Sequence, residues 1–254
     1  MKVRILGCGT STGVPKIGND WGLCDPAEPR NARLRTSLLV ESAGERMLVD
    51  CGPDLRQQLL SADVSRLDGV IVTHDHGDHC HGIDELRPVS QVIGRPVPLY
   101  ARAHDLNQLR SRFAYVFHQS DFYRPIADAR ELGEELRFGQ CRVTFVDQPH
   151  GSVTSLGLRF DEGQFSVGYA IDFSALSDEM AVLYEGLDVW IADCLTRKPH
   201  PTHMHLDGIL SAARDLRVGQ LYLVHMGNGL DYRTLIAELP DWAAPAYDGL
   251  EVTG

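Results

Sequence analysis

The sequence has no apolar run that approaches membrane-spanning length, no low-complexity tract, no internal repeat and no linker-like stretch. Its opening apolar stretch is short and broken by Arg4, so it does not read as a signal-peptide core. Close cysteine pairs are also missing: Cys8, Cys24, Cys51, Cys80, Cys141 and Cys194 are scattered. Such a scatter speaks against a disulfide framework and fits reduced thiols, so a cytoplasmic location is expected. Positive charge is in short supply, with 24 Lys and Arg against 35 Asp and Glu and a net charge of -11. That balance disfavours a broad nucleic-acid-binding surface and makes nucleic acid an unexpected partner. It does not disfavour a small phosphate-bearing substrate, because bound cations would make the local field positive.

What remains is an ordinary globular composition, 43% hydrophobic and 23% charged over 254 residues. The chain is read as one α/β domain spanning residues 1–254. Short runs rich in Val, Ile and Leu read as strands at Val3–Leu6, Ser37–Val40, Met47–Val49, Val70–Val72, Val143–Val146, Leu156–Phe160, Gln164–Ile171, Val189–Ala192 and Leu221–Val224. The Ala43-Gly44 pair between the second and third predicts a hairpin. Helices are predicted at Leu55–Ser61, Ser177–Tyr184, Leu206–Leu216 and Tyr232–Leu239, with Ser177 as an N-cap and Pro240 as a stop. Residues Arg102–Arg137 show no clear period but carry Phe113, Tyr115, Phe117, Phe122 and Tyr123, candidates for core packing or for a substrate wall. Arg110, Arg112 and Arg124 lie in the same stretch, where they could neutralise substrate phosphate.

Directly after the strand at Val70–Val72 come His74-Asp75-His76-Gly77-Asp78-His79. Packing has no use for three histidines and two aspartates there. Neutral imidazoles and carboxylates are ligands for zinc, manganese or iron, and crowding them without a cation would strain their proton equilibria. His74 and His76, two apart in an extended segment, can point the same way. Asp78 and His79 follow about a turn later, so the segment offers two ligand pairs to two adjacent ions. Asp50, His150, Asp172 and His225 each sit just past an apolar run.

The segment Thr73–His79 resembles the signature of the metallo-β-lactamase fold superfamily. The resemblance implies a four-layer αβ/βα sandwich with the site at one edge. Carried over by position, it implies that His74, His76 and His150 hold one divalent metal and that Asp78, His79 and His225 hold the other. Asp172 would bridge them, and Asp50, in Asp50-Cys51-Gly52, would support the ligands from behind. Two such ions can share a hydroxide, lower its pKa and steady the entering and leaving oxygens, so hydrolysis is expected, with Asp78 and His203 as the catalytic side chains.

The fold does not choose the substrate. Leu6-Gly7-Cys8-Gly9-Thr10-Ser11-Thr12-Gly13-Val14-Pro15 resembles the glycine-rich opening of the branch that contains ribonuclease Z and a phosphoribosyl cyclic phosphate phosphodiesterase. Its glycines and hydroxyls could approach a phosphate or simply turn the chain out of the first strand. In that branch a histidine ahead of a helix helps expel the leaving group. His203 in His200-Pro201-Thr202-His203-Met204-His205 matches best, with His200 and His205 as rivals. Ala246–Val252 resembles the close of the phosphodiesterase, although locally it reads only as a turn and short strand.

The chain departs from the phosphodiesterase at residues 18–26, where a cysteine-rich zinc site is replaced by a stretch containing Cys24 alone. No structural zinc is expected, since one thiolate cannot make a closed site. Pro26 and Pro29 suggest an ordered loop. The leading expectation is a phosphodiesterase for a small or cyclic phosphodiester, without membrane association. A thioester or lactam hydrolase, a tRNA-processing nuclease and a catalytically silent metal-binding scaffold are the alternatives. The resemblance makes a homodimer the candidate assembly.

Overall fold

Strands buried on both faces need apolar residues at successive positions, and several runs here have them. The computed structural model describes residues 1–119 and 121–254. In it β1 (Lys2–Gly7), β2 (Ser37–Ser42), β3 (Glu45–Val49), β4 (Gly69–Ile71), β5 (Val97–Ala101) and β6 (Ala127–Glu131) belong to a first sheet. A second sheet contains β7 (Glu135–Phe138), β8 (Cys141–His150), β9 (Val153–Glu162), β10 (Phe165–Ala170), β11 (Val189–Asp193), β12 (Gln220–Val224) and β13 (Ala243–Pro245). The last strand, β14 (Glu251–Thr253), returns to pair with β1 and makes the first sheet seven-stranded, like the second. The β2–β3 hairpin turns at Ala43 and Gly44, both at positive φ, as a tight two-residue connection requires.

Helices cover both outer faces. Leu55 and Leu59 of α1 (Leu55–Ser61), Leu86 and Val89 of α3 (Leu86–Ile93) and Leu106 and Leu109 of α4 (Ala103–Arg112) join Leu48, Val70 and Leu99 in one core cluster. Between α1 and α3 lies a single turn, α2 (Gly77–Cys80), and α4 is followed by another, α5 (Ala114–Phe117). A larger cluster fills the space between the sheets, where Val49 and Ile71 meet Phe160 and Tyr169. It extends to Met180 and Tyr184 of α6 (Asp178–Tyr184), Ile209 of α7 (Leu206–Asp215) and Leu235 of α8 (Tyr232–Glu238). The expected four-layer sandwich is therefore the observed one. Among the described residues no helix is long and apolar enough to cross a membrane.

The stretch Arg102–Arg137 is more regular than its sequence suggests, and the expectation of irregularity is corrected: it contains α4, α5, β6 and the start of β7, with Ser120 outside the described residues. Only Leu106 and Leu109 of α4 are buried apolar residues, too few to set a visible period, and β6 has no β-branched residue. Strand β5 was not predicted because Pro98 interrupts it. The aromatic residues of Arg102–Arg137 do not form one wall: Phe113 and Phe117 pack against the core, while Tyr115, Phe122 and Tyr123 are exposed.

The loop at residues 16–32 is tied down without a cysteine cluster. Arg33, only 2% exposed, donates through Nη2 to the Leu230 carbonyl at 2.6 Å and to Asn31 Oδ1 at 3.2 Å. Its Nη1 donates to the Gly227 carbonyl at 3.2 Å and approaches Cys24 Sγ at 3.9 Å. Leu23 N–H donates to the Asn228 carbonyl at 2.8 Å, which fastens the loop three residues beyond His225. Arg33→Met takes the guanidinium away from the buried Leu230 carbonyl, so we expect a loss of about 1–3 kcal/mol in urea unfolding. Arg33→Lys should recover part of it.

Candidate functional site

Both sheets send the carboxyl ends of several strands to one edge, β3 and β4 from the first and β8, β10, β11 and β12 from the second, and the polar residues gather there. Asp50 follows β3, the His74–His79 segment follows β4, His150 ends β8, Asp172 follows β10, Asp193 ends β11 and His225 follows β12. Asp50, Asp172 and His225 stand at φ of 63°, 52° and 55°, in the left-handed region that side chains other than glycine seldom adopt. Such strain persists only where surrounding structure enforces it, and it collects at functional positions.

Asp172 lies at the centre, 2% exposed. Its Oδ2 is 3.4 Å from His74 Nε2, 3.3 Å from His150 Nε2 and 3.5 Å from His79 Nε2. Its Oδ1 is 3.3 Å from His225 Nδ1. Around it the donor atoms fall into two groups, His74, His76 and His150 with Asp172, and Asp78, His79 and His225; within each group they lie within 4.8 Å of one another. His203 also comes within that distance of Asp172 and His225.

These residues fit a cation. Buried Asp172 Oδ1 and His79 Nε2 make no hydrogen bond to the protein among the described residues, and isolated buried polar atoms are costly. Burial opposes charge on His79, yet Asp78, Asp172 and Asp50 outweigh it and raise its pKa well above the ordinary value. The same electrostatics holds Asp172 well below the carboxylate range: burial works against ionisation, and His225 and His79 more than offset it. Burial pushes His150 down to about 4, leaving its imidazole neutral and able to donate a lone pair. A site that stabilises carboxylates beside neutral imidazoles suits a divalent metal, through nitrogen and oxygen ligands.

A layer of hydrogen bonds orients these groups from behind. Asp50 is fully buried and accepts from Thr73 N at 2.8 Å and from Thr73 Oγ1 at 2.9 Å, and its Oδ2 lies 2.8 Å from His79 Nδ1. His150 Nδ1 faces the Thr202 carbonyl at 2.9 Å, and His225 Nδ1 lies 3.1 Å from Thr36 Oγ1. Arg112 pairs with the Asp75 carboxylate and donates to its carbonyl at 2.6 Å, so this arginine braces the His74–His79 segment. Arg110 instead donates to the Ala129 carbonyl.

Of the three histidines ahead of α7, only His203 approaches the donor groups. Its ring stacks on His225 at 5.1 Å and meets His150 edge-on at 4.9 Å. His203 Nδ1 lies 2.8 Å from Asp193 Oδ2, and Asp193 is completely buried. Burial opposes a proton on His203, but the Asp193 hydrogen bond and charge prevail and raise its pKa. His200 contacts Thr202 at the surface, and His205 occupies the N-cap of α7 without a side-chain capping bond.

Sequence reasoning passed over Asp193, although it ends an apolar run just as Asp172 and His225 follow theirs. It also read Asp248 only as part of a turn. Asp248 accepts from Cys8 N at 3.0 Å and Leu34 N at 2.7 Å, with burial pushing its pKa up to about 6. The glycine-rich opening is held in the same way: a Cβ on Gly7 would lie 2.0 Å from the Arg35 carbonyl, and Thr10 N donates to the Met226 carbonyl. Gly7 is thus there for close backbone approach.

The sequence profile of the beta-lactamase superfamily domain matches residues 45–226. The chain therefore belongs to the beta-lactamase superfamily. A crystal structure of a diphosphatase from the PhnP family is similar to it, with a TM-score of 0.90 and 32% identity over 99% of this chain and 97% of that one. An octanoyltransferase of Porphyromonas gingivalis is 32% identical over 99% of this chain and 51% of its own length. Ribonuclease Z of Phocaeicola vulgatus is 30% identical over 64% of this chain and 49% of its own length. The chain thus spans about half the length of these two relatives.

Removing the support behind His79 should weaken metal binding without dismantling the site. For Asp50→Ala, chelator competition followed by metal analysis should show a 10- to 100-fold loss of affinity. Unchanged affinity would show that Asp50 serves the fold alone.

Proposed function

We propose that the protein is a metal-dependent phosphodiesterase that cleaves a phosphodiester or diphosphate linkage in a small substrate. The observation that carries this reading is His203, held by a buried carboxylate and within donor-atom reach of Asp172 and His225, one residue from each of the two donor groups. The similarity to the PhnP-family diphosphatase supports it over nearly the whole chain.

His74, His76 and His150 would hold one divalent ion, Asp78, His79 and His225 a second, and Asp172 both. When bound, such ions supply an activated water and charge neutralisation at a phosphoryl group. Asp50 and Thr36 fix the rings of His79 and His225, which limits the rotation the donor set could undergo. Asp193 favours the protonated form of His203 and fixes its Nδ1, leaving Nε2 to deliver a proton to the departing oxygen. Asp78, with its carboxylate 3.1 Å from His79 Nε2, would serve the reaction by holding and orienting a metal. Zinc, manganese and iron all suit these ligands.

A general acid matters most when the leaving group is poor. His203→Ala should therefore lose about 10²- to 10⁴-fold in kcat on an alkyl phosphodiester and far less on one that releases a nitrophenolate. Equal losses on both substrates, with metal content intact, would remove His203 from proton transfer. Metal stripping should abolish turnover, and readdition of zinc, manganese or iron should restore it with two ions per chain.

The octanoyltransferase match favours a second reading, chemistry at an acyl thioester, although it concerns a protein about twice as long. Initial rates on a phosphodiester, a diphosphate diester and an octanoyl thioester separate the two. A thioester cleaved faster than either phosphate compound would overturn the proposal.

A further inference from the structure

The chain is acidic overall, yet nearly all its positive charge is arginine, 21 against three lysines. Arg87, Arg95, Arg110, Arg124 and Arg130 gather along two adjoining clefts of about 320 and 680 Å³, which share Arg95, Pro96 and Pro125. Phe122 and Tyr123 border the smaller cleft and are 89% and 68% exposed. The Arg87 guanidinium lies 5.7 Å from the centre of the Tyr123 ring, and Arg130 lies 5.8 Å from that of Tyr100. Arg130 is paired with Asp128 at 2.8 Å. Arg87, Arg95 and Arg124 form no salt bridge among the described residues.

This face is separate from the metal-binding edge. Arg95 and Pro96 immediately precede β5, and Pro125 and Ile126 precede β6, whereas the His74–His79 segment leaves the opposite end of the parallel neighbour β4. A five-residue strand puts roughly 16 Å between the two edges. The arginines here therefore do not neutralise a phosphate at the metals, and Arg124 is corrected in that respect.

We propose that these clefts form a second binding site, for a short single-stranded nucleic-acid segment. Its phosphates would rest on Arg87, Arg95 and Arg124 and its bases against Phe122 and Tyr123. Guanidinium groups recognise phosphate oxygens through paired hydrogen bonds, and an exposed ring stacks on any base. A lone phosphate or an acidic protein surface would need the arginines but not the two exposed rings beside them. Two clefts in succession match consecutive nucleotides. The net charge of -11 repels a polyanion at a distance, so binding depends on contact and weakens with salt. Three phosphate contacts to a single strand give a slope of about -2 in log K against log salt. The inference does not depend on the reaction at the metals.

Fluorescence anisotropy of the 254-residue protein with a labelled ten-nucleotide RNA at low salt tests it. We expect saturable binding with that salt slope. The double substitution Arg95→Glu and Arg124→Glu should weaken it at least tenfold, and Phe122→Ala by about tenfold. Replacing both arginines by lysine should retain part of it. The same variants should fold and cleave a small phosphodiester at the unaltered protein's rate. Three results would overturn the proposal: no binding at low salt, full displacement by inorganic phosphate at equal phosphate concentration, or variants that alter only self-association in sedimentation.

Discussion

Four imidazoles converge on the Asp172 carboxylate, and the geometry of the site follows from that meeting. An ionised carboxylate without a partner would be expensive at such depth, as would the clustered imidazoles if each carried a proton. Both costs fall when positive charge is brought in from outside, as a cation that carboxylates and neutral imidazoles can bind. The buried carboxylates Asp50 and Asp193 then act on individual rings, at His79 and His203. The protein spends backbone strain at Asp50, Asp172 and His225 to hold this arrangement.

The strain also explains why the site lies where it does. A strand end is where a backbone can leave the extended region without breaking a ladder of hydrogen bonds, and a sheet supplies several such ends side by side. In this protein two sheets present them at a common edge. Side chains far apart in sequence, such as His79 and His225, come within reach because β4 and β12 end at that edge. Arg33 and Asp248 are structural partners of the same edge: Arg33 reaches across to Gly227 and Leu230 just after His225, and Asp248 holds the glycine-rich opening at Cys8 beside Leu34.

Much of this was legible in the sequence, unevenly. The dense His74–His79 segment cannot be mistaken for packing, and the apolar runs before Asp172 and His225 place them at strand ends. Where apolar residues are dense, as at Leu55–Ser61 and Val189–Ala192, element and boundary were both readable. Where two leucines carry a helix, as in α4, the period was too faint to see. Asp193 obeyed the same strand-end rule as its neighbours, but a single aspartate has no histidine beside it to draw notice. Its partner His203 could be ranked above His200 and His205 only by resemblance, because the distances that separate them arise from tertiary packing. Arg112 was legible as a cation but not as a brace for Asp75, since the two stand 37 positions apart.

The division of the donor residues between two sheets also has a temporal consequence. Residues 50–79 belong to the first sheet and residues 150–225 to the second, so neither sheet alone presents a full set of donors. A metal ion that draws on both would bind tightly only once the sheets have docked. Tight metal uptake would then report completed sheet docking, and a bound ion would act as a clasp between the two halves of the sandwich.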